Sequence, residues 1–262
     1  MLEASAVITS TKNPLAKQFR KLHQPKERHR QGVFLLEGTH LVQEACAVRY
    51  PLIQLAATEV WCQTHGDLLG QLAHGAADIR LVSPEVLKSM CTTVNPDGVV
   101  AIAQRSMATA MADSVSLGVA LERLQDPGNL GTVIRTATAA GCDRIWLTEN
   151  SVDIDHPKVL RATAGQWFRL SMETVLSLSS LATFDGQLVA TTPVASLNYW
   201  ELDLQQPTIF LMGNEGAGLS EQTMQLATHR VKIPLAADVE SLNVAIATAV
   251  LLYEAIRQRQ SC

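Results

Sequence analysis

The sequence predicts an α/β protein in two parts: a small α/β unit, then a larger one built on a parallel sheet. Three observations carry that reading. Runs of strand length alternate with stretches of helical periodicity from Val33 onward, and strands joined through helices form parallel sheets covered on both faces. The alternation breaks once, between Gln104 and Ser114, where Ser106, Ala108, Thr109, Ala110, Ala112 and Asp113 read as a linker. A chain of 262 residues, 47% hydrophobic and 18% charged, has material for one or two cores.

Taken in order, Asn13-Pro14 starts a first helix, with proline where its missing N–H costs nothing, and Pro25 starts a second short one. Val33 to Glu37 reads as a strand, Thr39 to Ala47 as a helix and Leu52 to Ala57 as a strand. His65 to His74 is helical, Ile79 to Val82 extended, Pro84 to Met90 helical, and Gly98 to Ala103 an apolar run suited to a buried strand. Beyond the linker, Val115 to Leu124 is a strand and Leu130 to Ala140 a helix closed by Gly141. The series then runs through a strand at Arg144 to Thr148, a helix at Pro157 to Ala164, and strands at Leu188 to Thr191 and Thr208 to Met212. A helix at Leu219 to Ala227, a strand at Val231 to Pro234 and a long helix at Leu242 to Arg257 complete it. The expected domains are residues 1–105 and 115–262, with a linker at 106–114.

Composition removes several function classes. Cys46, Cys62, Cys91, Cys142 and Cys262 are widely spaced and form no C-x-x-C pair, so neither a zinc knuckle nor a disulfide framework is readable and reduced thiols are expected. No apolar run reaches the roughly 18 residues of a membrane span, and the N-terminus lacks a signal pattern; a cytoplasmic protein without a membrane partner is expected. The formal charge of −4 gives no global sign of nucleic-acid binding. One local basic stretch stands out, with Lys12, Lys17, Arg20, Lys21, Lys26, Arg28 and Arg30 opposed only by Glu27.

Three segments are over-specified for mere connections. In the first, Asp126-Pro127-Gly128-Asn129 is turn chemistry between a strand and a helix, with Asn129 the expected cap of a helix beginning at Leu130. Arg135 follows less than two turns into that helix, so it can stand near the strand ends. In the second, Gly213, Gly216 and Gly218 directly follow an apolar strand and let backbone approach a ligand closely. The spacing is neither a Walker loop nor G-x-G-x-x-G, so phosphate cradling is not indicated, and Glu215 suits a ligand's hydroxyl or amine. In the third, Ser241 opens a helix that is small and apolar on nearly every side, hence expected to be buried, with Ser241 and Asn243 needing partners at its start.

In this order the three segments resemble the three motifs of the SpoU-type (TrmH-like) branch of the SPOUT RNA methyltransferases. Gln125-Asp126-Pro127-Gly128-Asn129-Leu130-Gly131 with Arg135 is similar to the first. Gly213-Asn214-Glu215-Gly216 with Gly218-Leu219-Ser220 is similar to the second, and Ile233-Pro234 with Glu240-Ser241-Leu242-Asn243-Val244 to the third. His156-Pro157-Lys158-Val159-Leu160-Arg161-Ala162 also looks like a family segment, with Thr163 where the family commonly has serine. At the front, Asn13-Pro14, Lys17, Lys21-Leu22, Arg28 and Phe34-Leu35-Leu36-Glu37-Gly38 resemble the family's substrate-binding domain, whose fold is like that of ribosomal protein L30e.

The resemblance implies a C-terminal parallel-sheet SPOUT domain with a deep trefoil knot, acting as a homodimer through its knotted part. It implies S-adenosylmethionine as cofactor, held at Thr191, Gly213, Ile233 and Leu242, with no metal, and methyl transfer to a ribose 2′-hydroxyl of RNA. Ribosomal RNA is favoured over transfer RNA because of the front domain. Arg135 matches the family's catalytic arginine. Being effectively always protonated, it is better suited to clamping a phosphate or stabilising a developing oxyanion than to acting as a base. Asn129, Glu215, Ser241 and Asn243 complete the expected catalytic set, and Lys12, Lys17, Arg20, Lys21 and Arg28 the expected RNA contacts. The alternative is a non-catalytic RNA-binding protein on the same scaffold. Such a module would show no saturable heat with S-adenosylmethionine.

Overall fold

The computed structural model of the protein describes residues 6–74, 78–105, 114–214 and 216–260. Most of the expected linker, residues 106–113, lies outside them, as do Glu215 and Cys262. The front elements are α1 (Pro14–Lys21), α2 (Pro25–Gln31), β1 (Val33–Glu37), α3 (Thr39–Ala47), β2 (Leu52–Ala57), α4 (Glu59–Thr64), α5 (Gly66–His74), β3 (Asp78–Leu81), α6 (Pro84–Met90) and β4 (Val99–Gln104). The rear ones are β5 (Leu117–Leu121), α7 (Pro127–Ala139), β6 (Arg144–Thr148), α8 (Pro157–Ala162), β7 (Ser171–Val175), β8 (Gln187–Thr191), β9 (Leu197–Asn198), β10 (Thr208–Met212), α9 (Glu221–Leu226), β11 (His229–Lys232) and α10 (Val244–Gln260).

The chain divides into two compact units, changing over within the compositional break at 106–114. The first takes the front part and also Asp153–Phe168. Its sheet runs β1-β4-β2-β3, with β4 antiparallel to β1 and β2 and with β2 and β3 parallel. Phe19, Leu22, Leu35, Val86, Leu87, Met90 and Ile102 fill one side of it.

Charge pairing and aromatic packing explain why Asp153–Phe168 joins this unit. Arg28 is fully buried. A buried guanidinium must find carboxylates, and it finds Asp155 at 2.7 Å and Asp153 at 2.8 Å. Arg161 pairs with buried Glu37, and Trp167 packs on Phe34 with ring centroids 4.9 Å apart. In this division residues 153–168 stand with the front unit, while the rest of 115–262 falls in the second. The expected RNA contact at Arg28 is corrected: its guanidinium is spent inside the fold and is closed to an RNA phosphate.

The second unit is a seven-stranded, wholly parallel sheet in the order β7-β6-β5-β10-β8-β11-β9. The chain steps outward from β5 through β6 to β7, then returns to lay β8, β10 and β11 on the other side of β5. This reversal makes a topological switch point beside β10, where open α/β sheets bind ligands beyond the carboxyl ends of their strands. α7 and α10 pack against each other.

Among the helix starts that differ from expectation are those of α7 and α10. α7 begins earlier because Asp126, not Asn129, is its cap: the Asp126 carboxylate accepts the Asn129 N–H at 2.8 Å, and Pro127 takes the first helical position. α10 begins at Val244 because the Asn243 side-chain oxygen accepts the Ala245 N–H at 2.9 Å, leaving Ser241 outside the helix. Nor is α10 buried all round: Ile246 and Tyr253 are each 52% exposed. The sequence reading also omitted α4, β7 and β9. β7 is an edge strand with a half-polar pattern, so it carries little apolar signal.

Candidate active site

The site is built from the loops that leave the carboxyl ends of β5, β8, β10 and β11. After β10 the chain makes a closed glycine loop. Asn214 and Gly218 exchange backbone hydrogen bonds at 3.1 and 2.9 Å, while the Asn214 side-chain oxygen accepts from the Gly216 and Ala217 N–H groups at 2.9 and 3.0 Å. Gly213 has no room for a side chain, since a Cβ there would lie 2.2 Å from the Gly218 carbonyl carbon. The Asn214 amide donates to the Arg123 carbonyl at 2.8 Å, tying this loop to the turn after β5.

The turn after β5 is fixed in two further ways. Glu122, nearly buried, accepts from the Ser220 N–H and hydroxyl, each at 2.7 Å, and so holds the cap of α9. Asn129, in the first turn of α7, accepts from the Asn243 amide at 2.9 Å. One asparagine thus caps α10 and joins it to α7.

These loops wall a cavity of about 440 Å³, lined by Thr191, Thr192, Met212, Gly213, Gly218, Leu219, Ile233, Ser241, Leu242 and Val244 among others. Its size is that of a small-molecule site. Apolar walls and backbone polar groups offer more to a nucleoside with a thioether-like tail than to a phosphate. The donor set fits S-adenosylmethionine: a backbone bent at an obligatory glycine, a hydroxyl at Thr191, and apolar Ile233 and Leu242.

Of the expected residues, Thr191, Gly213, Ile233, Ser241 and Leu242 come together in this lining, and Asn129 and Asn243 meet beside it. Ser241 and Asn243 are exposed rather than buried as expected. Arg135 does not line the cavity; it is exposed on α7, and among the described residues its guanidinium has no hydrogen-bonding or ionic partner. Sequence reasoning missed Glu122 and Arg123. An acid and a base directly after an apolar strand were the available signal, but they were absorbed into the strand.

In the first unit, Lys12, Lys17 and Lys21 are exposed. Arg20 is half-buried and already donates to the Ser89 hydroxyl at 3.0 Å and the Thr11 carbonyl at 2.7 Å. The basic stretch thus divides into free lysines and structural arginines.

Residues 116–253 match the family model described as the SpoU rRNA Methylase family. The chain belongs to the SpoU rRNA methylase family. It is accordingly an S-adenosylmethionine-dependent methyltransferase, and residues 13–101 match the family model described as an MRM3-like substrate binding domain. A tRNA/rRNA methyltransferase of Synechocystis, itself uncharacterized, is 49% identical over 97% of this chain and 94% of its own length. The Bacillus subtilis 23S rRNA (guanosine(2553)-2′-O)-methyltransferase RlmP is 32% identical over 94% of this chain and 97% of its own. Among solved structures, an AdoMet-bound rRNA methyltransferase from Sinorhizobium meliloti superposes with a TM-score of 0.85 at 32% identity, over 95% of this chain and 97% of that one.

Proposed function

We propose that this protein moves a methyl group from S-adenosylmethionine to a ribose 2′-hydroxyl of ribosomal RNA. The observation that carries the reading is convergence: the loops after β5, β10 and β11 meet at one end of a parallel sheet. There Gly213, Ile233, Ser241 and Leu242 wall a single cavity and Asn129 is bonded to Asn243. Thr191, Gly213, Ile233 and Leu242 would hold the cofactor, which supplies, when bound, a sulfonium methyl that is already primed for displacement.

The chain's own residues must then align a poor nucleophile and ease loss of its proton. Arg135 keeps its charge throughout. Its role is to clamp the phosphate beside the target ribose, or to stabilise negative charge growing on the attacking oxygen. Asn129 fixes the first turn, Ser241 and Asn243 hold the start of α10, and Glu215 orients Arg135 or the ligand. Lys12, Lys17 and Lys21 supply phosphate contacts from the substrate-binding unit.

Ribosomal RNA is favoured because RlmP, similar over nearly the whole of both chains, is a 23S rRNA methyltransferase, and the family model matched is that of rRNA methylases. The trefoil knot, the homodimer and a cytoplasmic location belong to the same reading. The homodimer is supported by the apolar side chains that α10 leaves exposed, Ile246 and Tyr253. Mapping ribose methylation in total RNA with and without the gene tests the assignment. One ribosomal site should disappear, and an unchanged map contradicts it.

A further inference from the structure

The turn after β5 contains a residue whose backbone favours glycine and whose side chain is barely used. Arg123 has φ of 55°, a left-handed conformation that is strained for any residue with a Cβ. The backbone is pinned there. Its N–H donates to the Thr148 hydroxyl at 2.9 Å, and its carbonyl accepts from the Asn214 and Gln125 amides at 2.8 and 3.1 Å. The guanidinium gains little in return. Nη2 reaches the Gly218 carbonyl at 3.4 Å, an oxygen already accepting the Asn214 N–H at 3.1 Å. Nε is closed to solvent and has no hydrogen-bond partner, although buried polar groups almost always have one.

Backbone strain, a weak hydrogen bond and an orphaned Nε together make a poor structural role for an arginine. They make a good binding role. The residue stands at the carboxyl ends of two neighbouring parallel strands, β5 and β10, where the site's loops gather. A planar cation there is suited to an anionic oxygen pair. The methyltransferase reading brings two anions to this end of the sheet, the cofactor's carboxylate and the RNA backbone. Arg123 is absent from the cavity lining, although Gly218, the residue it touches, is part of it. It therefore touches the glycine loop from outside the walls of that cavity.

We propose that Arg123 is a substrate-binding residue whose guanidinium takes a phosphodiester of the RNA strand beside the cofactor cavity. This rests on the methyltransferase reading above, and the test separates the two. Arg123→Gly is the informative variant, because glycine adopts this φ without strain and the main-chain hydrogen bonds remain. Arg123→Lys keeps charge but loses the planar fork.

The experiment measures thermal unfolding, S-adenosylmethionine affinity by calorimetry, methyl transfer to ribosomal RNA from gene-deleted cells, and binding of that RNA without cofactor across a salt series. For Arg123→Gly the unfolding temperature is expected to be no lower than the parent's, and S-adenosylmethionine affinity unchanged. RNA binding should weaken about tenfold, as expected for the loss of one charge-assisted contact, with a salt slope shallower by roughly 0.7 to 0.9. Arg123→Lys should fall between parent and glycine variant in RNA binding. RNA affinity and salt slope equal to the parent's overturn the proposal, as does a loss confined to S-adenosylmethionine, which assigns the guanidinium to the cofactor. If the parent itself transfers no methyl group, the methyltransferase reading fails, while the RNA-binding comparison still decides the role of Arg123.

Discussion

The side-chain amide of Asn243 donates to the side-chain oxygen of Asn129 at 2.9 Å, across 114 residues of sequence. The same Asn243 caps α10 through the Ala245 N–H at 2.9 Å. One polar side chain thus sets both the start of the closing helix and the position of the first-motif turn beside the cavity.

Replacing Asn243 by alanine removes both bonds. Loss of a cap costs about 1 kcal/mol, and loss of the amide pair a further ~1 kcal/mol. Urea unfolding should therefore show a destabilisation near their sum. The variant should also lose most methyl transfer, and Asn129→Ala should mimic the activity loss with a smaller effect on stability. In a double mutant the two losses should not add, because the residues share a bond.

Gly213→Ala places a methyl group against the Gly218 backbone, at 2.2 Å before any relaxation. Overpacking of this kind costs about 1–3 kcal/mol, and here it falls on the wall of the cavity. Calorimetry should show S-adenosylmethionine binding weakened roughly ten- to a hundredfold if that cost is paid on binding. Unaltered affinity would mean that the glycine loop does not hold the cofactor.

Arg135→Ala should lower the methyl-transfer rate by about 100-fold or more, the scale set by losing one charge-stabilising group. Its exposure and lack of a partner within the described residues mean that stability should change by no more than ~0.5 kcal/mol. Arg135→Lys should restore little if the planar fork matters. Full activity in the alanine variant would remove Arg135 from the chemistry.

The basic stretch should separate into two behaviours. Arg28→Ala leaves Asp153 and Asp155 with Arg105 as their remaining arginine partner, a loss of about 3 kcal/mol, the lower end for a broken buried pair. Lys17→Ala and Lys21→Ala should leave the unfolding midpoint unchanged and weaken RNA binding in a salt-dependent way. Thermal melts and filter binding on the same preparations check both halves.

Burial and the neighbouring Asp153 push Asp155 up to about 6. Between its unfolded value of 3.8 and that folded value, the native state binds more protons than the unfolded chain. Stability from this group is therefore greatest at low pH and declines as pH rises through about 6. Asp153 is shifted the other way, its ionised form favoured by its hydrogen bond from Asp155 and the Arg28 charge, so its contribution is lost only as pH falls below the ordinary carboxylate range. Asp155→Asn should flatten the decline between pH 4.5 and 7 relative to the parent, read as the difference in urea midpoints.

Much of this architecture was legible because local chemistry announces it. Pro14, Pro25, Pro84 and Pro157 each open a helix, and the wholly buried strands β5, β6 and β10 are apolar or small apart from Arg144 and the threonines at strand ends. The glycine loop was legible for the same reason: Gly213 follows a strand and tolerates no Cβ. Hidden features depended on partners remote in sequence. Nothing near Arg28 reveals that its carboxylates lie 125 and 127 residues away. Residues Asp153–Phe168 therefore read as part of the rear domain. The α7 cap was misread because Asp126 and Asn129 are both good cap residues, and Pro127 settles the choice only once the helix direction is known. Glu122 and Arg123 were lost because a strand's end is marked by where its hydrogen bonds stop rather than by residue type.

The most direct test of the central claim is transfer of a labelled methyl group from S-adenosylmethionine to ribosomal RNA lacking this modification, followed by complete digestion and separation of the nucleosides. The label should appear in one 2′-O-methylated nucleoside and be absent with the Arg135→Ala protein. Label on a nucleobase, or no transfer by a folded parent that binds S-adenosylmethionine, would contradict the account.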